Sequence, residues 1–536
     1  MSEPRMLDPS AHLDSFARDN LPPRELWPAM DYAALPELAY PKSLNAAVEL
    51  LDRMVERGFG ERPCIRWPGG MWSYRELLEK ANRIAGVLVG EMGLVPGNRV
   101  LLRAANNPMH AASWFAVMKA GGIAVGTMPL LRARELSYII EKAKVEFAFC
   151  DKALCDELES AREKAPTLRR IVHFHDDGAD GLEALMARQS VSFANVATSH
   201  DDVALIAFTS GTTGPAKGTM HFHRDLVTIC DAFPNYVLKP TQEDIFVGSP
   251  PLAFTFGLGG ILLFPMRFGA STLLLEKTSA EILLQAIQDH RATICFTAPT
   301  MFRIMAELAP HYDIASLTKC VSAGETLPLP VFDAFRKATG IRIIDGLGST
   351  EMLHIFVATA GDDIRPGATG KAIPGYQAIV VDDAGKEVPR NTIGRLGCYS
   401  PDAHQVYVVP ISYNFHDGAV FFSSIGGDKV DYLRAHPCGI CLEVDEIDDE
   451  LKWSSVIVQG DFEELAGGDW VTEKPAALRR AERGPLRYLF DADVPEIARQ
   501  ALVIGRLIVR DMSGRRERWT WQKDTPVPLR ALAGGV

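Results

Sequence analysis

From about Ser43 to Asp345 the sequence alternates segments of helical and strand-like spacing, and this alternation constrains the fold more than any other feature. Leu44 to Arg57 and Tyr74 to Gly90 place apolar residues at helical intervals. Arg99 to Ala104 is strand-like, helix-like Pro108 to Ala120 leads into the apolar stretch 122–127, and Arg134 to Ala143 leads into 145–150. Farther on, strand-like 270–276, 293–296, 319–324 and 341–345 alternate with helix-like Ala280 to His290, Thr300 to Leu308 and Leu329 to Thr339. The pattern predicts an α/β fold, a parallel sheet with helices on both faces and ligands at the carboxyl ends of its strands.

Three polar clusters fall at such ends. Val203 to Phe208 is a short apolar run that suits a buried strand, and it empties into Thr209, Ser210, Gly211, Thr212, Thr213, Gly214, Pro215, Ala216, Lys217 and Gly218. Glycines let backbone N–H groups approach a polyphosphate, the hydroxyls donate, and Lys217 adds charge. The loop is not a Walker A motif, because Gly218 follows Lys217 where Ser or Thr would be required. A plain Ser/Thr/Gly linker is the alternative. The second cluster is Ser322, Ala323, Gly324 and Glu325; the third runs from Asp345 through Gly346, Leu347, Gly348, Ser349 and Thr350 to Glu351. Gly346 and Gly348 permit a turn close to a ligand, Ser349 and Thr350 donate, and Glu351 is a carboxylate able to hold magnesium between phosphate oxygens. Read blandly, the same string is a helix N-cap.

At 536 residues the chain is long enough for two or three domains, and 47% hydrophobic with 23% charged residues suits a soluble globular protein. A formal net charge of −12 argues against nucleic acid or an anionic membrane as the main partner. The first twenty residues lack the apolar core of a signal peptide and no run reaches membrane-spanning length, so a cytoplasmic location is expected. Nine scattered cysteines fit reduced thiols, and Cys438 with Cys441, a lone CxxC, reads as structural.

The loop string TSGTTGPAKG resembles the phosphate loop of the adenylate-forming enzymes, the acyl-CoA synthetases and their relatives, with Pro215 and Ala216 where the usual form has Lys and Pro. MKAGGIAVGTMPL (118–130), PPLAFTFGLGG (250–260), SAGE, DGLGSTEM and GATGKAIPGY (367–376) follow the family's order. TMHFHRD (219–225), AFTFGLGG (253–260) and STEMLHIF (349–356) look most like benzoate- and 2-aminobenzoate-CoA ligases, so residues 1–394 are expected to form an AMP-binding, acyl-CoA synthetase-like domain. The resemblance implies ATP-dependent activation of an aromatic carboxylic acid to an acyl-adenylate, with ATP, Mg2+ and coenzyme A as cosubstrates. It implies that Thr209 to Lys217 hold phosphates and that Ser322 to Glu325 and Asp345 to Gly348 frame adenine. Lys217, Thr350 and Glu351 would be catalytic, with Glu351 on magnesium. Phe254, Phe256, Gly257, Ala323, Gly324, His354 and Ile355 would line the acid pocket, where Phe and Gly suit a flat ring and a His can meet a carboxylate or an ortho substituent. His221 and His223 read as packing or capping residues. Leu347 stands where many relatives carry an adenine-stacking aromatic residue.

Beyond Gly394 the family's ribose-binding Tyr-x-Thr-Gly-Asp stretch, hinge and lysine-bearing C-terminal domain do not follow. Instead Val406 to Phe415, Ala419 to Ser424, Ile440 to Val444, Ser455 to Leu465, Ala501 to Asp511 and Arg515 to Trp521 are strand-like, with one helix-like segment at Asp428 to His436. GRLGC, YVVPISY, GGDKVDYLRAHP, CLEVDEI and SVIVQGDFEEL resemble the pyridoxamine 5′-phosphate oxidase-like split barrels, which implies a mainly-β flavin-binding domain over 395–536. Carried over, Pro410, Ile411, Ser412 and Tyr413 would line FMN, Ser423, Ser424 and Lys429 would bind its phosphate, and Ser455 and Val456 would complete a site at a homodimer interface. Ser423 replaces a His common in relatives. Two functions follow as expectations: adenylation of benzoate or 2-aminobenzoate, with thioester formation only if the missing lysine comes from elsewhere, or an FMN-binding redox protein with an aryl-acyl-binding front module.

Overall fold

The computed structural model describes residues 7–23, 27, 35–209 and 216–381, and beyond them the strands 395–398, 413–416, 419–425, 440–449, 452–464, 502–522 and 525–528. Two compact units result, one of residues 1–379 with 396–402, the other of 380–395 with 403–536.

The strands of the front unit, in chain order, are β1 (Pro63–Trp67), β2 (Gly70–Ser73), β3 (Arg99–Arg103), β4 (Ile123–Thr127), β5 (Phe147–Asp151), β6 (Arg170–Phe174), β7 (Val203–Phe208), β8 (Gly218–Phe222), β9 (Ile245–Gly248), β10 (Ser271–Leu273), β11 (Ile294–Thr297), β12 (Lys319–Ser322), β13 (Ile344–Gly348), β14 (Ile355–Ala358) and β15 (Lys371–Ala372). They form two sheets, ordered β6-β5-β3-β4-β7-β8 and β15-β14-β13-β12-β11-β9-β10-β1-β2. Both sheets are parallel at their centres and antiparallel at edges, where β8, β2, β14 and β15 add on. The alternating pattern thus gives the parallel cores. It does not separate one sheet from two, because spacing along a chain does not record which strands pair.

Local signals set the helix starts. Ser73 opens the helix Tyr74–Gly86 with a capping box: its Oγ accepts from Glu76 N at 3.2 Å while Glu76 Oε2 accepts from Ser73 N at 2.7 Å. Asn107 caps the helix Pro108–Lys119, its Oδ1 accepting from His110 N at 2.9 Å. All twelve residues of that helix are buried, as an element apolar on every side requires, and it packs against β3 and β4 of one sheet and β1 of the other. At its end the fully buried Lys119 Nζ donates to both Asp52 oxygens, at 2.5 and 2.6 Å.

Two expectations are corrected. Asp345 to Gly348 is not a loop after a strand but the strand β13 itself, because Gly346 and Leu347 pair with Ala358 and Val357 of β14. Gly346 is small for packing: a Cβ there would lie 2.4 Å from Ile355 Cδ1. In the back unit the two strands expected at 501–511 and 515–521 are one, Leu502–Gln522. Met512, Ser513 and Gly514 read as a break, yet they stay in the ladder opposite Val458, Ile457 and Val456.

The described strands of the back unit are antiparallel, ordered Tyr413–His416, Ala419–Ile425, Leu502–Gln522, Lys452–Glu464, Ile440–Asp449, with Thr525–Pro528 paired to the long central strand. The expected helix at 428–436 and Cys438 lie outside the described residues. The six described cysteines with side-chain positions are free. Among the described residues no helix is long and apolar enough to cross a membrane.

Candidate active site

β7 and β8 form an antiparallel hairpin whose connection is the glycine loop. Its base is closed by Thr209 N donating to Lys217 O at 2.9 Å and Lys217 N donating to Thr209 Oγ1 at 3.1 Å. Tyr138 OH donates to Ala216 O at 3.0 Å and ties the loop to the helix Ala133–Ala143. Ser210, Gly211, Thr212, Thr213 and Gly214 lie outside the described residues. Lys217 is exposed and has no ion pair among the described residues.

His221, on β8, joins this hairpin to the third cluster. Its Nε2 lies 2.8 Å from the Thr350 carbonyl and 3.3 Å from Thr219 Oγ1, which itself donates to Ala207 O. A carbonyl partner requires the proton on Nε2, so His221 donates. Burial lowers its pKa below the ordinary histidine value, against the pull of Asp225, the Thr350 carbonyl and Glu351. Sequence reasoning gave His221 a packing or capping role; what it missed is that the partner lies on a distant turn. The same Thr350 carbonyl accepts from Leu353 N at 3.1 Å, and Ser349 Oγ accepts from Met352 N at 3.2 Å, so the turn is held by its own backbone and Glu351 is left exposed.

The ends of β12 and β13 lie side by side, Ser322 opposite Asp345, with Ala323, Gly324 and Glu325 following Ser322. Ser322 Oγ and Asp345 Oδ1 are both buried without a partner in the protein. Burial raises the Asp345 pKa although Thr369 Oγ1 donates to its other oxygen at 2.9 Å. Thr369 was legible only as part of a matching string. Two orphaned polar atoms beside the 38% exposed Leu347 suit a ligand with a flat ring and polar edge.

His354 lies in a cage of rings. Phe264, Phe256, Phe233 and Phe296 surround it at centroid distances of 4.5, 5.7, 5.8 and 6.4 Å. Its Nε2 donates to Phe256 O at 3.3 Å, while Nδ1 is buried with no partner in the protein. Burial pushes its pKa down to about 3, so the ring is neutral and its open nitrogen is an acceptor. Gly259 allows the close approach, since a Cβ there would lie 2.4 Å from His354 Cδ2. Phe254 is 36% exposed, whereas Gly257 and Ile355 are buried.

Burial also pushes His223 down to about 3 and His110 to about 4. With folded values below about 6.5 in the unfolded chain, the unfolded state binds more protons as pH falls. Stability is therefore complete above about pH 6.5 and declines toward pH 4, by about 1.4 kcal/mol per pH unit for each ring. Urea unfolding followed by tryptophan fluorescence is expected to show a lower midpoint at pH 5 than at pH 7. An unchanged midpoint would mean that the rings take up protons in place.

Of the expected flavin residues, Pro410, Ile411, Ser412 and Lys429 lie outside the described residues. Tyr413, Ser423, Ser424, Ser455 and Val456 are on strands, in two separate groups: Tyr413 pairs with Phe422, next to Ser423 and Ser424, whereas Ser455 and Val456 lie elsewhere on the sheet. Ser423 pairs with Ile504 and Ser455 with Arg515, eleven residues apart on one strand, roughly 35 Å if fully extended.

A glycine loop on a hairpin, a turn with an exposed carboxylate tied to it, and unpartnered groups at two strand ends accompany a match of residues 52–408 to the family of AMP-binding enzymes. The chain belongs to that family. This AMP-binding enzyme is of the AMP-forming acid–CoA ligase kind, and its residues 388–516 match a second family, pyridoxamine 5′-phosphate oxidase, which gives the back unit its split-barrel class. It is 30% identical over 376 residues to a benzoate–CoA ligase of Thauera aromatica, covering 69% of this chain and 71% of that one. It is 30% identical over 365 residues to a 4-hydroxybenzoate–CoA/benzoate–CoA ligase of Rhodopseudomonas palustris, covering 66% and 67%. The crystal structure of the anthranilate CoA ligase AuaEII in complex with anthranoyl-AMP is similar with a TM-score of 0.66 and 28% identity, over 80% of this chain and 89% of that one.

Proposed function

We propose that the front unit activates an aromatic carboxylic acid with ATP: a carboxylate oxygen attacks the α-phosphorus, pyrophosphate leaves, and an acyl-adenylate stays bound. The observation that carries this reading is the His221–Thr350 hydrogen bond, which sets the loop hairpin against the Glu351 turn. Lys217 and the glycine loop would hold the phosphates, Thr350 would donate to them, and Glu351 would hold a magnesium ion, which when bound supplies positive charge against the phosphate oxygens. Ser322 and Asp345 meet the adenine edge beside Leu347.

The relatives act on benzoates, and the His354 cage favours 2-aminobenzoate within that class. A neutral ring whose open Nδ1 is an acceptor offers a partner to an amino group and nothing to a carboxylate.

Residues 1–394 act as the adenylating domain and 395–536 as the barrel, in a cytoplasmic protein. Thioester formation with coenzyme A is slow, because the ribose-binding Asp and the C-terminal lysine of the family have no counterpart in the sequence. The second reading, an FMN-binding redox role, is favoured by the pyridoxamine 5′-phosphate oxidase match. On this reading each flavin is shared by two chains of a homodimer, an arrangement compatible with the separation of Ser423 from Ser455 along one strand.

Incubating the purified chain with ATP, Mg2+ and 2-aminobenzoate is expected to release pyrophosphate above an acid-free control, faster than with benzoate, and added coenzyme A is expected to yield little thioester. Absence of acid-dependent pyrophosphate would defeat the adenylation reading. Prompt thioester formation would defeat the reading of an incomplete ligase.

A further inference from the structure

A groove of about 830 Å3 opens in the front unit at the amino ends of β12 and β13, the edge opposite the nucleotide residues. Its volume lies in the range of small-molecule sites. Leu238, Ile341, Ile344 and Ile373 give it an apolar lining. Four cations, Lys239, Lys319, Arg342 and Lys371, line it against one acid, Asp363. Such a local excess stands out on a chain with a formal net charge of −12.

The four cations differ in how far they are already engaged. Lys319 Nζ donates to Lys239 O at 2.9 Å and lies 3.7 Å from Asp244. Arg342 donates from one terminal nitrogen to Ile364 O at 2.5 Å and faces the exposed Asp362 at 3.5 Å, but its Nε is buried without a partner. Lys239 and Lys371 are exposed and have no ion pair among the described residues. An apolar trough with two unengaged ammonium groups and a guanidinium carrying an unpartnered N–H fits a molecule with an apolar body and an anionic head.

We propose that this groove is a binding site for an organic anion of that kind, with a carboxylate or phosphate head, separate from the nucleotide and acid pockets. An occupant would lie within one ladder of the nucleotide residues. Lys371 pairs with Ala358, Ala358 pairs with Gly346, and Thr369, two residues before Lys371, holds Asp345.

The test uses the full chain and 8-anilinonaphthalene-1-sulfonate, an apolar probe with an anionic head, with saturating ATP and 2-aminobenzoate present to fill the other pockets. Saturable fluorescence enhancement is expected, weakened at least tenfold in a Lys239→Glu/Lys371→Glu double variant with an unchanged circular dichroism spectrum. Ile341→Gln is expected to weaken it without altering charge. Displacement by octanoate identifies a carboxylate head, displacement by octyl phosphate a phosphate head. No saturable enhancement, equal affinity in all three proteins, or displacement by neither competitor would overturn the proposal.

Discussion

Pyrophosphate release by a Glu351→Ala variant is expected to fall at least about a hundredfold, with the chain still folded. The side chain is exposed, and the turn beneath it is held by Ser349 Oγ, the Thr350 carbonyl and His221, none of which the substitution touches. On the proposed adenylation mechanism, what is lost is a carboxylate that would hold magnesium against the phosphates, and a preorganised charge aimed at a transition state is typically worth about 2.7–4 kcal/mol or more. Lys217→Ala is expected to act in the same direction. Initial rates of acid-dependent pyrophosphate formation check both. Activity within twofold of the parent in the Glu351 variant would remove that residue from the chemistry.

Asp52→Ala is expected to be the most damaging single change away from the site. Lys119 is fully buried and gives two hydrogen bonds to Asp52, which Asn195 Nδ2 also contacts at 2.8 Å. Burial lowers the Lys119 pKa, with Asp52 opposing that shift. Removing the carboxylate leaves an ammonium without its counter-charge, a loss of about 3–5 kcal/mol. Urea denaturation measures it, and the paired replacement Asp52→Leu with Lys119→Met is expected to recover most of it, because neither charge is then stranded. A single variant as stable as the parent would show that Lys119 sheds its proton or finds water.

Much of this was legible from residue spacing. The helix Pro108–Lys119 and the strands β3, β4, β5 and β12 fall where the apolar periodicities put them, because each is amphipathic or apolar throughout and begins at a cap or a turn. The glycine loop stood out by composition, and the described residues show the hairpin that carries it and the Thr209–Lys217 pair that closes its base. What escaped was pairing. Nothing local in Gly218 to Phe222 marks it as the return arm of a hairpin, and nothing in Asp345 to Gly348 reveals β14, ten residues later, as the partner that makes it a strand. The role of His221 escaped for the same reason, its partner being 129 residues away. Of the rings around His354 only Phe256 was legible; Phe233, Phe264 and Phe296 come from other parts of the chain, and the protonation of the ring comes from burial, which the sequence does not state.

The helix Pro108–Lys119 makes the two sheets of the front unit interdependent. Each leans on it, so melting either one would bare twelve apolar-surrounded positions and the Lys119 charge together. Loosening of this unit under heat or denaturant should therefore be a single event, with protease-resistant half-folded fragments absent. A ligand seated at the end of one sheet would protect the amide hydrogens of the other.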